Sequence, residues 1–132
     1  MATKKTTKTS AKQTFQPIPN IRLSVSSSFN NTIITANALP SGKVISWTSS
    51  GQSGFKGTKK GTPYAATTAM KLLLEKLEPY KPETAEVTVS GAGNGRDAAL
   101  RAIIGSGIKV LSVRDITPLP HNGTRAKKAR RV

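Results

Sequence analysis

The chain has 132 residues, room for one domain with a single modest core, and its 21 lysines and arginines against six acids give a formal net charge of +15. A chain so charged repels itself unless a polyanion or counterions balance it, so nucleic acid is the leading partner. The absence of cysteine excludes disulfides and thiolate metal sites and fits a reducing compartment, and apolar runs such as Leu72 to Leu74 are far too short to cross a bilayer. An anionic membrane surface is the alternative partner, but it calls for an amphipathic helix with bulky apolar residues opposite a basic face, and none is visible.

Residues 1–17 hold four lysines and five threonines with few apolar side chains, too little hydrophobic surface to offset the entropy of ordering, and read as a disordered basic tail. The start shares a lack of acids with organellar transit peptides but contains no arginine. From Ile21 the pattern alternates, with Ile21, Leu23 and Val25 on one side and Arg22, Ser24 and Ser26 on the other, which predicts a strand. SFNNT is a turn, TIITANAL a returning strand, Pro40-Ser41-Gly42 a second turn and KVISWTSS a third strand, together an antiparallel meander. Trp47, within that third strand, is expected to pack rather than stack.

Thr62 caps a helix whose first residue is Pro63, a position where the missing N–H costs nothing. Ala66, Met70, Leu73 and Leu77 share one face of it, and Pro79 and Pro82 end it. AEVTVS is a fourth strand, GAGNG opens a second helix containing Ala98, Leu100, Ala102 and Ile103, and GIKVLSVRDI is a fifth strand. A strand-helix-strand unit implies parallel strands. The order β-β-β-α-β-α-β therefore predicts an α/β domain over residues 18–116, a mixed five-stranded sheet with helices packed on it. Residues 117–132 carry five positive charges and no acid in the last eight positions and read as a basic arm. Glu75, Glu78, Glu83 and Glu86 fall within one twelve-residue stretch, which leaves the rest of the chain more basic still.

GQSGFKGTKKGTP, residues 51–63, combines glycines with Lys56, Lys59 and Lys60, suiting a loop laid along a ribose-phosphate backbone; Phe55 either stacks on a base or tucks into the core. Gly91, Gly93 and Gly95 precede a helix start, where free N–H groups cradle phosphate, with Arg96 and Arg101 adding charge. The bland reading is a tight glycine turn without a ligand. A dinucleotide fold is rejected because Arg96 stands where the G-x-G-x-x-G fingerprint needs glycine, and no G-K-[ST] occurs. His121 is the single histidine, without cysteine or an acidic cluster beside it, so no metal site is expected. No second histidine, carboxylate pair or nucleophile elbow accompanies the serines, and no enzyme, cofactor or small-molecule substrate is expected. Asn122-Gly123 is a turn dipeptide in which the glycine nitrogen can attack the Asn122 amide, giving a succinimide and then isoaspartate.

SFNNTI (28–33), SGFKGTKKGTPYAA (53–66), GAGNGRDAALRAI (91–103) and DITPLPHNGTRAKKARRV (115–132) together resemble bacterial-type ribosomal protein eleven of the small subunit, the universal uS eleven family. The resemblance implies a ribonuclease H-like fold without its nuclease site. It also implies a structural role on the small-subunit platform, bridging rRNA helices and helping to form the messenger (Shine-Dalgarno) cleft. Small-subunit proteins seven and eighteen are the implied neighbours, the location is the cytoplasmic ribosome, and the asparagine matching Asn122 can carry an isoaspartyl linkage. Where the family's turn often reads G-P-G-P-G this chain has Ala92 and Asn94, and where its tail often reads Cys-Arg-Pro-Pro it has Thr124, Arg125, Ala126 and Lys127. The RNA contacts expected are Lys56, Lys59, Lys60, Arg96, Arg125, Lys127, Lys128, Arg130 and Arg131 on phosphate, with polar contacts from Asn30, Asn31, His121 and Asn122. The rivals are a free-standing nucleic-acid chaperone or packaging protein, and a nuclease, which would need clustered carboxylates that the first three strands lack.

Overall fold

A computed structural model describes residues 16–39 and 41–131. Apart from Gln16 and Pro17, the expected N-terminal tail lies outside the described residues. The elements are β1 (Asn20–Ser27), β2 (Thr32–Ala38), β3 (Val44–Ser49), a 3₁₀ turn (Gly57–Gly61), α1 (Pro63–Leu77), a second 3₁₀ turn (Glu78–Tyr80), β4 (Thr84–Ser90), α2 (Gly95–Ile104) and β5 (Lys109–Asp115). This is the β-β-β-α-β-α-β order expected. The sheet order is β3-β2-β1-β4-β5, with β1 antiparallel to β2, β2 antiparallel to β3, and β4 parallel to both β1 and β5.

Alternation in the strands decides which face is covered. Ile21, Leu23 and Val25 of β1, Ile34 and Ala36 of β2, and Ala85, Val87 and Val89 of β4 are buried under the helices. From α1 they meet Ala69, Met70, Leu73 and Leu77, and from α2 Ala99 and Ile103. Burying a side chain of this size contributes about 1.5–3 kcal/mol, so this one shared layer is the main source of stability. The N-terminus of α1 is capped as its sequence predicts: Thr62 Oγ1 accepts from the Ala65 N–H at 3.3 Å, and Pro63 opens the helix. Deeper in, the buried Thr48 hydroxyl donates to the Ala69 carbonyl at 2.9 Å and ties β3 to α1.

Trp47 corrects one expectation, since it lies 53% exposed rather than packed. The cause is a register shift between β2 and β3: Asn37 pairs with Val44 but Ala36 with Ser46, leaving Ile45 as an extra residue. Such a bulge changes which side chains face inward beyond it. Ile45 packs against the core, Thr48 takes the next buried position, and Trp47 opposite Thr35 turns to the other face.

Candidate nucleic-acid interface

Because β1, β4 and β5 run parallel, their carboxyl ends lie along one rim of the sheet. The β1–β2 turn, the glycine turn after β4 and the arm after β5 all leave from that rim, and α1 begins beside it. The opposite rim holds the end of α1 and the start of β4, where Glu78 and Glu83 stand among Lys43, Lys81 and Lys109.

The β1–β2 turn is closed by its own polar groups. Ser28 N–H donates to Asn31 O at 2.8 Å, Asn31 N–H to Ser28 Oγ at 3.1 Å, and Thr32 N–H to Asn31 Oδ1 at 2.9 Å. The Asn31 side-chain oxygen is therefore engaged within the turn, whereas Asn30 and Phe29 project outward, Phe29 being 76% exposed. Gly61 seats the lysine loop against this turn: a Cβ there would lie 2.1 Å from Phe29 O, inside any tolerable contact. This close approach brings Asn30 alongside the loop carrying Lys56, Lys59 and Lys60, which have no carboxylate partner among the described residues. Among the described residues the ion pairs are Arg22–Glu86 and Arg96–Asp115. Phe55 is half-buried and meets Tyr64 edge to face, centroids 5.8 Å apart at 83°, while Tyr64 is 72% exposed.

The glycine turn has an internal reason for its glycines. Gly91 has φ +91, and a Cβ there would lie 2.1 Å from Ser27 O; at Gly93 the clash is 2.2 Å with Ser28 O, and at Gly95 2.4 Å with Thr32 Oγ1. The turn is thus pressed against the β1–β2 hairpin. The N–H groups of Gly91 and Gly93 are spent inside the protein, on Thr117 Oγ1 at 3.2 Å and Ser27 O at 3.1 Å. The expected phosphate cradle is corrected to that extent: these two donors face protein acceptors.

Arg96 is likewise engaged. It donates to Gly91 O at 2.8 Å and to Asp115 Oδ2 at 2.5 Å. Asp115 also accepts from the Thr117 hydroxyl at 2.5 Å and from the Thr117 N–H at 3.0 Å. The Thr117 hydroxyl and N–H first, and Arg96 after them, hold the Asp115 carboxyl down at about 2. This cluster fastens the glycine turn to the end of β5 and sets where the arm departs.

Beyond it, residues 118–131 have no regular structure and are exposed, and His121, Arg125, Lys127, Lys128, Arg130 and Arg131 lie along this strip. Asn122 takes the left-handed conformation, φ +58, consistent with a turn dipeptide. The described residues contain no group of three or more His, Cys, Asp or Glu placed to hold a metal, and no helix among them is long and apolar enough to cross a membrane.

The family model for ribosomal protein S11 matches residues 22–131, from β1 through the arm. The chain belongs to the ribosomal protein S11 family. Among similar S11 relatives, the small ribosomal subunit protein uS11c of Nasturtium officinale is 47% identical over 132 residues, covering 100% of this chain and 95% of the relative. The protein of the same name from Cicer arietinum is 52% identical over 123 residues (93% and 88% covered), and that from Gossypium hirsutum 50% over 125 (95% and 90%). Three of the quoted sequence blocks of this S11 chain meet at one rim because the strand order brings them there, and the fourth leads away from it. Reading the sequence missed Phe29 and Tyr64 as exposed aromatics beside the lysines. The signal was available: Phe29 sits inside a turn, and Tyr64 lies off the Ala66–Met70–Leu73–Leu77 face of its helix.

Proposed function

We propose that this S11-family protein is a non-enzymatic structural constituent of the small ribosomal subunit that binds small-subunit rRNA through the carboxyl-end rim and the arm. The observation that carries this is a set of cations without carboxylate partners among the described residues, Lys56, Lys59 and Lys60 on the loop and Arg125, Lys127, Lys128, Arg130 and Arg131 on the arm, all on one rim or leading from it. Such groups release counterions from phosphate when they bind, and they recognise backbone and shape more than sequence. Asn30, His121 and Asn122 add polar contacts from the same side. Arg96, with Gly91, Gly93 and Gly95, contributes mainly by holding the rim's shape, and the outward parts of that turn approach phosphate.

The finer placement follows from the family resemblance. The protein bridges rRNA helices on the platform beside proteins seven and eighteen, helps form the messenger cleft, and works in the cytoplasm, a reducing compartment that suits a cysteine-free chain. Co-sedimentation with small subunits through a high-salt wash tests the assignment. Retention on small subunits and preference for rRNA over duplex DNA in competition are expected. Equal affinity for both would favour a free-standing chaperone or packaging protein, and RNA cleavage by pure protein with Mg²⁺ would revive the nuclease reading.

A further inference from the structure

The sheet face turned away from the helices plays no part in the rim. Cross-strand pairing lines up Trp47, Thr35, Ser24, Thr88 and Arg114 in a single row through all five strands. Residues directly opposite one another project to the same side, and the alternating positions are those buried under the helices, so this row lies on the open side. With strands about 4.8 Å apart, the row is about 19 Å long. At one end stands the chain's single tryptophan, more than half exposed. At the other end the Arg114 side chain has no hydrogen-bond or ion-pair partner among the described residues. Between them are short hydroxyl side chains, Thr88 donating to Ser24 Oγ at 3.2 Å.

The neighbouring row carries Arg22 and Glu86, 3.2 Å apart, so the carboxylate on this face is already neutralised. A groove of about 290 Å³ runs between Arg22, Ser24, Glu86, Thr88, Ser112 and Arg114. The middle of the row carries short hydroxyl side chains, Ile33 stands exposed in the adjoining row, and the unpaired charge of Arg114 is cationic.

We infer that this open face is a second RNA surface that takes unpaired nucleotides, with Trp47 as the stacking platform for a base and Arg114 as a phosphate contact. This rests on the rRNA-binding reading for the identity of the ligand and extends it to a part of the molecule that the rim does not include. An open sheet bearing an exposed aromatic suits splayed-out bases, because a base offers its face to the ring only once it has left its own stack. Hydroxyls in the row can donate to or accept from a ribose 2′-hydroxyl. Ile33 and Val44 stand about half exposed in the rows on either side of Trp47, but the row leading from the indole is Thr35, Ser24 and Thr88, whose hydroxyls suit a sugar-phosphate strand better than an apolar protein surface.

Trp47 emission supplies the test, since no other tryptophan contributes. Full-length protein is titrated with a small-subunit rRNA transcript, and filter retention and Trp47 emission are read in the same samples. Binding is expected to quench Trp47 and to shield it from acrylamide. Trp47→Ala is expected to weaken binding roughly ten-fold and Trp47→Phe far less, and Arg114→Gln to weaken it several-fold. Circular dichroism checks that each variant is folded, and Ser24→Glu, which places a carboxylate in mid-row, serves as an independent block. Retention with unchanged emission and unchanged acrylamide access would overturn the inference and leave the rim's role standing. Retention by Trp47→Ala and Ser24→Glu equal to that of the parent would do the same, and loss of retention altogether would overturn both.

Discussion

Gly61 and Gly91 bear most directly on how single residues build the rim. Each lets one backbone lie within 2.1 Å of where a Cβ would stand, and Gly91 also has φ +91, so alanine there meets both a clash and a strained backbone. Gly91→Ala and Gly61→Ala are each expected to lower stability by about 1–3 kcal/mol, read as a reduced urea midpoint. An unchanged midpoint for either would mean the hairpin and turn are not pressed together. Asp115 makes a pH prediction. Its carboxyl titrates at about 2 in the folded chain against 3.8 ordinarily, so the stability it contributes is complete above the unfolded value and is lost as pH falls through the folded one. Between pH 5 and 2 the urea midpoint of Asp115→Asn should therefore fall less steeply than that of the parent. We also propose isoaspartate at Asn122, which is exposed, left-handed and followed by a glycine with open space around it. Peptide mapping after incubation at neutral pH should find it there, and Gly123→Val should suppress it.

At the scale of elements, the clearest agreement between pattern and structure is α1. Thr62, Pro63 and the apolar stripe act through contacts within a few residues, and local signals of that kind survive folding unchanged. Thr62→Ala should cost about 1 kcal/mol through loss of the cap, measured as thermal or urea unfolding, and should leave RNA affinity nearly intact. Strand β3 shows the converse. Its alternation reads with Ile45 and Trp47 together, and a single bulge opposite Ala36 and Asn37 separates them, sending the indole outward. Local pattern cannot reveal a bulge whose cause is pairing with another strand. The glycine turn differs again: a run of glycines before a helix suits an anion and suits close packing equally well. Distances to Ser27 and Ser28 decide for packing at Gly91 and Gly93.

For the molecule as a whole, the net charge of +15 makes salt dependence the most direct measurement. If about eight cations neutralise phosphates, log K should fall against log salt with a slope of roughly −6 to −7. Truncation after Thr124 removes the five arm charges and should reduce the slope by about four; an unaltered slope would mean that the arm stays off the RNA. A charge total, a helix cap, a strand's alternation and the presence of a basic arm are properties of neighbouring residues or of simple sums, so they could be read along the chain. Which strand lies beside which, why Asn30 borders the lysine loop, why Arg96 faces Asp115 and why Trp47 points away from the helices are set by contacts between residues far apart in the chain. Those contacts exist once the sheet has assembled, because close packing and strand pairing are shared among several segments and are encoded in no single one of them.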